Sequence, residues 1–415
     1  MQGNNEKLFV KDSRFENIAE PAIDIGNYYD PRTQVTLDNL QFCNVPVSIN
    51  FELLPGVITP VSRDSLRRKE DGPVYRIGYL SHGLHIDVEG AGEARRRFVT
   101  SSSHSAINAM DDLPGTDIPL TEQASDWVNI LNLGAKGDGV TDDTKVFSDA
   151  IKKYRTIYVP QGRYCISETL VLHEKTCLIG LHPAQTMFVL KDSIRTFSDT
   201  TRPKAMLVAP EGGQNIVTGI GMDPGYNPGA VAIQWMSGEH SYLNDVHIPS
   251  RHSAVKGVGQ YYGIWVTNGG GGVFKSSWLP NELARNGFFV NNTSTRGAVY
   301  LLSVEHHKNV EVQLDNTANW TFYALQTEED AGSDQSFAAS IDNCHHILFI
   351  NQYCYRRALM PGPFISAFKM TNSDQIMISG MHSFSSGPFP YDNTIYIEDK
   401  KIVVPQSEFS QFTLR

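Results

Sequence analysis

The chain has 415 residues, 40% of them hydrophobic and 19% charged, the balance of a folded protein rather than a disordered one. That length exceeds what one compact core usually supports, so two domains or one elongated repeat are expected. A formal charge of −10 disfavours nucleic acid and acidic polymers as partners and suits a neutral one, and no run of 18 apolar residues is present to cross a membrane as a helix.

The amino terminus MQGNNEKLFVKDSRFENI opens on strand-like sequence without the basic start and apolar stretch of a secretory signal. It reads as the interior of a domain, so an upstream part is expected to be missing. DSRFENIAEPAIDI from Asp12 and DNLQFCNVPVSINF from Asp38 repeat at an offset of 26, each alternating apolar and polar residues before a turn. They are expected to be two coils of a solenoid, with PVYRIGYLSHGLHIDVEG as a third strand-bearing run after the charged loop RDSLRRKEDG. From about Ser101 to Asp126 the composition shifts to Ser, Asp and Pro without apolar periodicity, which reads as a linker. The domain expectation is a first β-helix represented by residues 1–115, a linker at 116–126 and a complete second β-helix at 127–415.

The second domain opens with WVNILNLGAKGDGVTDDTKVFSDAIKKY, a strand, a Gly/Asp turn and a helix in which Val146, Phe147, Ala150, Ile151 and Tyr154 recur at helical spacing. Asp142 and Asp143 suit the positive end of that helix, and capping explains Asp138, Asp142 and Asp143 better than a calcium loop, whose distal Glu is missing. Short strands separated by Gly, Pro and Asn turns then run to Ile402 with no second long helical pattern. The fold class this implies is all-β, a right-handed parallel β-helix with one amphipathic helix capping its first coil.

Cys43, Cys165, Cys177, Cys344 and Cys354 lack C-x-x-C spacing and read as small buried hydrophobes rather than a zinc site or a disulfide framework. Gly269 to Gly272 reads as a tight turn near a cleft, because the G-K-[ST] register of a phosphate loop is not met. In each of the pairs His306 with His307 and His345 with His346, one ring is expected in the core and the other outside, since neighbours on a strand face opposite ways. No metal site and no cofactor are expected. Trp235, Trp265, Trp278 and Trp320 are candidates for stacking on a sugar ring, Trp278 first among them because it follows the Gly-rich turn.

Glu305 and Glu328 lie 23 residues apart in LLSVEHHKNVEVQLDNTANWTFYALQTEED. A coil of a solenoid takes roughly 20–30 residues, so the two carboxylates would stack on neighbouring strands about 4.8 Å apart. Two acids that close do not both ionise freely, which raises the pKa of one toward the range of a general acid.

The segments GAKGDGVTDDT and YVPQGRY resemble the opening motif of the pectate-lyase-like β-helix superfamily. The succession NPGAVAIQW, LNDVHI, GIWVTNGGGGVFKSSW, GFFVNNTSTRGAVYLLSVEHH and ALQTEE resembles glycoside hydrolase family 55, exo-acting β-1,3-glucanases of two tandem β-helix domains with the active site between them. That resemblance implies an inverting hydrolase of a neutral β-glucan, acting as a monomer outside the cell. It makes Glu328 of the QTE motif the general acid and Glu305 of the VEHH motif its carboxylate neighbour, with Asp245, His247, Trp278, His306 and Gln326 as substrate-binding candidates. The first domain here lacks its own GDGxTDDT segment and most of its coils, so water-positioning groups from that side are expected to be absent. A polysaccharide lyase acting on uronic acids, and a non-catalytic carbohydrate-binding or tail-spike-like β-helix, are the alternatives.

Overall fold

The computed structural model describes residues 7–26, 30, 32–51, 73–90, 92–119, 121, 123–249, 260–282, 284–329, 336–357 and 365–415. The charged loop RDSLRRKEDG lies outside them. The chain divides into two compact units, one of Met1–Thr116 with Met377–His382 and Gln406–Arg415, the other of Asp117–Ile376 with Ser383–Pro405. No helix of the described residues is long and apolar enough to cross a membrane.

In the first unit Lys7–Glu16 pairs in parallel with Gln34–Cys43 at an offset of 27, and Ile23–Ile25 pairs with Ile49–Phe51 at 26. The expected repeat is therefore two coils, with one more residue per coil in the first strand than in the second. Asn39 donates to Asp12 and Asn44 to Asn17 across that step. The third run departs from a parallel coil. Val74–Val88 lies antiparallel to Gln34–Cys43 and forms a hairpin with Arg95–Ala106 through the turn at Gly90. Alternation of apolar and polar residues is the same in both strand senses, and a tight turn permits only the antiparallel one. Ser101–Ala106, expected to be linker, is an outer strand of that hairpin; backbone pairing needs no apolar side chain, and most of its residues are exposed.

The second unit is a parallel β-helix, and its strand-to-strand crossovers make it right-handed as such connections in twisted sheets are. One ladder runs through Cys177–Gly180, Ile216–Asp223, Tyr242–His247, Gly272–Lys275, Gly297–Glu305, the second half of Val310–Glu329 and His345–Arg356. A second runs through Lys204–Ala209, Ala230–Trp235, Gln260–Val266, Ala284–Thr293, the first half of Val310–Glu329 and Phe337–Asp342. Inside, Phe322 and Phe349 stack 4.8 Å apart on neighbouring coils, and Phe288 and Phe368 meet them edge to face from the other ladder. Each wholly buried ring contributes roughly 1.5–3 kcal/mol. Cys43 is half-buried and the other four cysteines are buried, all as free thiols.

The helix Thr144–Lys153 buries Phe147, Ala150 and Ile151. The acids expected in its first turn precede it. Asp142 accepts from the Thr144 amide, whereas Asp143, buried, reaches back to the amides of Lys136 and Gly137. Asp138 accepts from the amides of Val140 and Thr141, which lower its pKa to about 2. These carboxylates fix the turn that aims the helix onto the first coil.

A column of left-handed residues, Gly219, Asp245, Ser276, Leu301, Ala324, Asn351 and Gly380, recurs once per coil. At these corners the pairing is interrupted without a change of register, as between Tyr300↔Tyr323 and Leu302↔Leu325, where Leu301 stands opposite Ala324. The left-handed residue bends its strand, and alternation resumes beyond it, with Leu302 and Val304 buried and Ser303 and Glu305 on the outer side. Every candidate site residue of this ladder except Asp245 itself lies just after this bend.

Candidate active site

Two outward rows cross the strands beyond the bend. The first is His247, Trp278, Ser303, Gln326 and Tyr353, each in register with the next. The second is Pro280, Glu305, Glu328 and Tyr355. Period-two alternation puts both rows on one face, while Val304 and Thr327 between them point inward and are buried. Glu305 and Glu328 are therefore direct cross-strand neighbours, as the 23-residue spacing predicts.

The strand Gly297–Glu305 ends at Glu305, and His306 takes a left-handed backbone with φ of 69°. That turn brings the His306 ring to the side of Glu305, with Nε2 3.6 Å from Glu305 Oε2, while its amide donates to the Glu328 carbonyl at 2.8 Å. The ligating atoms of Glu305, His306 and Glu328 all lie within 4.8 Å of one another. Two carboxylates and an imidazole gathered in this way are the group among the described residues able to hold a cation. The Ser303 hydroxyl donates to Glu305 Oε1 at 2.5 Å and also touches the Gln326 amide, joining the two rows.

A cavity of about 460 Å³ is lined by Pro183, Met187, His247, Trp278, Glu305 and His306 among others. Trp278 is 44% exposed there, and the His247 ring meets its edge at 5.6 Å. Burial pushes the His247 imidazole below its ordinary pKa against the pull of Asp245, whose carboxylate is 3.6 Å away. Asp245 belongs to the bend column and does not line the cavity. Trp235 and Trp320 are wholly buried, and Trp265 lies on the other ladder, its indole donating to Asn291. The glycine turn packs beneath the Trp235 indole, which donates to the Gly271 carbonyl, and it is not part of the cavity wall. A Cβ at Gly272, whose φ is +99°, would fall 2.4 Å from Ser241 Oγ.

His307 is buried, as expected of one member of its pair, with Nδ1 2.5 Å from Glu311 Oε2. The second pair departs from expectation, because neither ring is in the core. His345 is hydrogen-bonded to Asp374 at 2.8 Å and His346 is exposed. The pair follows a corner at Asn343, and Cys344 takes the inward position instead. Glu329, next to the candidate acid, is buried with Arg356 Nη1 at 2.9 Å, and burial lifts its pKa to about 7. Sequence reading passed over Ser303 as the link between the rows, and Tyr353 and Tyr355 altogether. The 27-residue offset from Gln326 and Glu328 would have found both tyrosines.

The family model for rhamnogalacturonase A/epimerase, pectate lyase-like, matches residues 127–344, just over half of the chain. The chain belongs to that pectate-lyase-like family. It is 27% identical over 171 residues to a glucan 1,3-beta-glucosidase of Cochliobolus carbonum, covering 35% of this chain and 21% of that protein. It is 39% identical over 67 residues to the preneck appendage protein of Bacillus phage PZA, covering 16% of this chain and 8% of that one. A variant of sacteLam55A from Streptomyces sp. SirexAA-E in complex with glucose aligns over 97% of this chain and 73% of that chain, with 12% identity and a TM-score of 0.49. The chain spans less than a third of the length of these two curated relatives.

Proposed function

We propose that this pectate-lyase-like chain is a glycoside hydrolase that cleaves β-1,3-glucan from a chain end with inversion, Glu328 acting as general acid. The observation that carries the reading is the Glu305 and Glu328 pair in direct register, with a cavity beside it that is lined by Glu305, His306 and Trp278 though not by Glu328 or Gln326. Similarity to a glucan 1,3-beta-glucosidase supports the substrate class.

Carboxylates this close share a proton in preference to ionising together. Glu328 holds that proton and gives it to the departing glycosidic oxygen. The Ser303 hydroxyl donates to Glu305 and fixes its carboxylate beside the acid. Trp278 receives the apolar face of a pyranose ring, and Gln326 and His306 bond its hydroxyls. Atoms within 4.8 Å of one another are nearer than the about 6.5–9.5 Å that inverting pairs leave for a water, so the base acts from outside this pair. The action is extracellular on this reading, and the polymer neutral.

Glu282 and Glu305 both line the cavity, which disfavours a uronic-acid substrate whose carboxylate would face them. The similarity to a phage appendage protein favours a second reading, a structural β-helix without turnover. Incubating the purified chain with laminarin and following the anomeric signals by NMR separates the two. Release of α-glucose supports the proposal, and a folded chain that releases no sugar supports the structural reading.

A further inference from the structure

The two rows continue past the acid pair into aromatic residues. Gln326 is in register with Tyr353, and Glu328 with Tyr355. The Phe384 ring lies 4.7 Å from that of Tyr355, nearly parallel to it, and 5.6 Å from that of Tyr353 at a steep angle. Tyr353 is 40% exposed, while Tyr355 and Phe384 are half-buried. The Tyr355 hydroxyl is hydrogen-bonded to Ser386 at 2.6 Å, which fixes the ring. Three aromatic rings gathered on an outward face form an apolar patch with polar tips, the kind of surface that marks a binding site.

We propose that Tyr353, Tyr355 and Phe384 form a second pyranose-binding subsite, across the acid pair from Trp278, that takes the part of the oligosaccharide leaving after cleavage. The inference rests on the glycoside hydrolase reading for the role of that subsite. Its placement comes from register. Trp278 and Tyr353 stand three strand spacings apart in one row, about 14 Å, with Glu305 and Glu328 in the adjoining row between them. The Trp278 side is walled by Pro183, Met187 and Pro249 and suits a chain end. Rings that present flat apolar faces and hydroxyls suit the C–H faces and hydroxyls of a sugar chain that continues across the strands.

The test compares a β-1,3-linked glucose pentasaccharide with the disaccharide. The ratio of their kcat/KM values is measured for the whole chain and for Tyr353→Ala, Phe384→Ala and Tyr355→Phe. Both alanine variants should lower the preference for the pentasaccharide about tenfold, an effect of about 1.4 kcal/mol, through KM for the longer substrate. Tyr355→Phe, which keeps the ring but loses the bond to Ser386, should lower it less than either alanine variant. A preference that survives both alanine substitutions overturns the subsite, as does an equal loss on both substrates. Should the chain cleave neither substrate, the hydrolase reading fails by itself. The subsite is then judged by ring-proton NMR of Tyr353 and Tyr355 with neutral pentasaccharides of β-1,3, β-1,4 and α-1,4 linkage. Perturbation by any one of them sustains it, and perturbation by none overturns it.

Discussion

His307 and Glu311 form a buried pair, with Nδ1 2.5 Å from Oε2 and the His307 amide donating to Oε1 at 3.0 Å. Both side chains are almost wholly enclosed. Burial drives the imidazole pKa down to about 3 and the carboxyl well above its ordinary value, so the folded pair retains one proton. In the unfolded chain the same two groups titrate at 6.5 and 4.5. Between those values both states hold one proton. Below 4.5 the unfolded chain takes a second, and above 6.5 it holds none. The pair's contribution to stability should therefore be greatest between these limits and fall on both sides, by up to about 1.4 kcal/mol per pH unit. Thermal unfolding across pH checks this, and a His307→Leu, Glu311→Met double variant should flatten the profile relative to the parent.

Arg356 and Glu329 are fully enclosed, and Glu329 also accepts from Ser336 and from the Tyr391 hydroxyl. Arg356→Met leaves a buried carboxylate unpaired and should cost about 3–5 kcal/mol, whereas Arg356→Met with Glu329→Leu should recover most of that loss. Denaturant titration of the three proteins measures the difference. Because Glu329 adjoins Glu328, the single variant should also lower activity.

Asp143 ties the opening turn to the helix by two bonds, from the Lys136 amide at 2.8 Å and the Gly137 amide at 3.0 Å. Replacing it with Ala leaves both donors without this acceptor and should destabilise the protein by about 2–4 kcal/mol. The same change at exposed Asp149, paired with solvent-exposed lysines, should leave stability nearly unchanged. Urea unfolding midpoints compare the two.

The acid pair was legible in the sequence because solenoid register converts a 23-residue spacing into adjacency, and Ser303 with Gln326 obeys the same offset. The helix over Thr144–Lys153 was legible from apolar spacing. Strand sense at Val74–Val88 was not, since alternation is blind to direction and the hairpin depends on a turn. Neither was the outward placement of both His345 and His346, which the corner at Asn343 imposes. The bend column escaped notice because Leu301 and Ala324, two of its members, are not residue types that announce a left-handed backbone.

Glu305→Gln removes a charge beside Glu328 while keeping the bond from Ser303. Loss of that neighbouring charge should let Glu328 ionise at lower pH, so the alkaline limb of the pH and activity profile should move to lower pH. An unmoved limb would show that the two carboxylates are not coupled.

The central claim is tested most directly by sugar release from laminarin, comparing the parent chain with Glu328→Gln. The substitution keeps shape and hydrogen-bonding capacity but removes the transferable proton. The account predicts α-glucose from the parent, with release by the variant reduced at least about a hundredfold and its melting temperature and laminarin affinity preserved. A Glu328→Gln protein that hydrolyses laminarin as fast as the parent would contradict it.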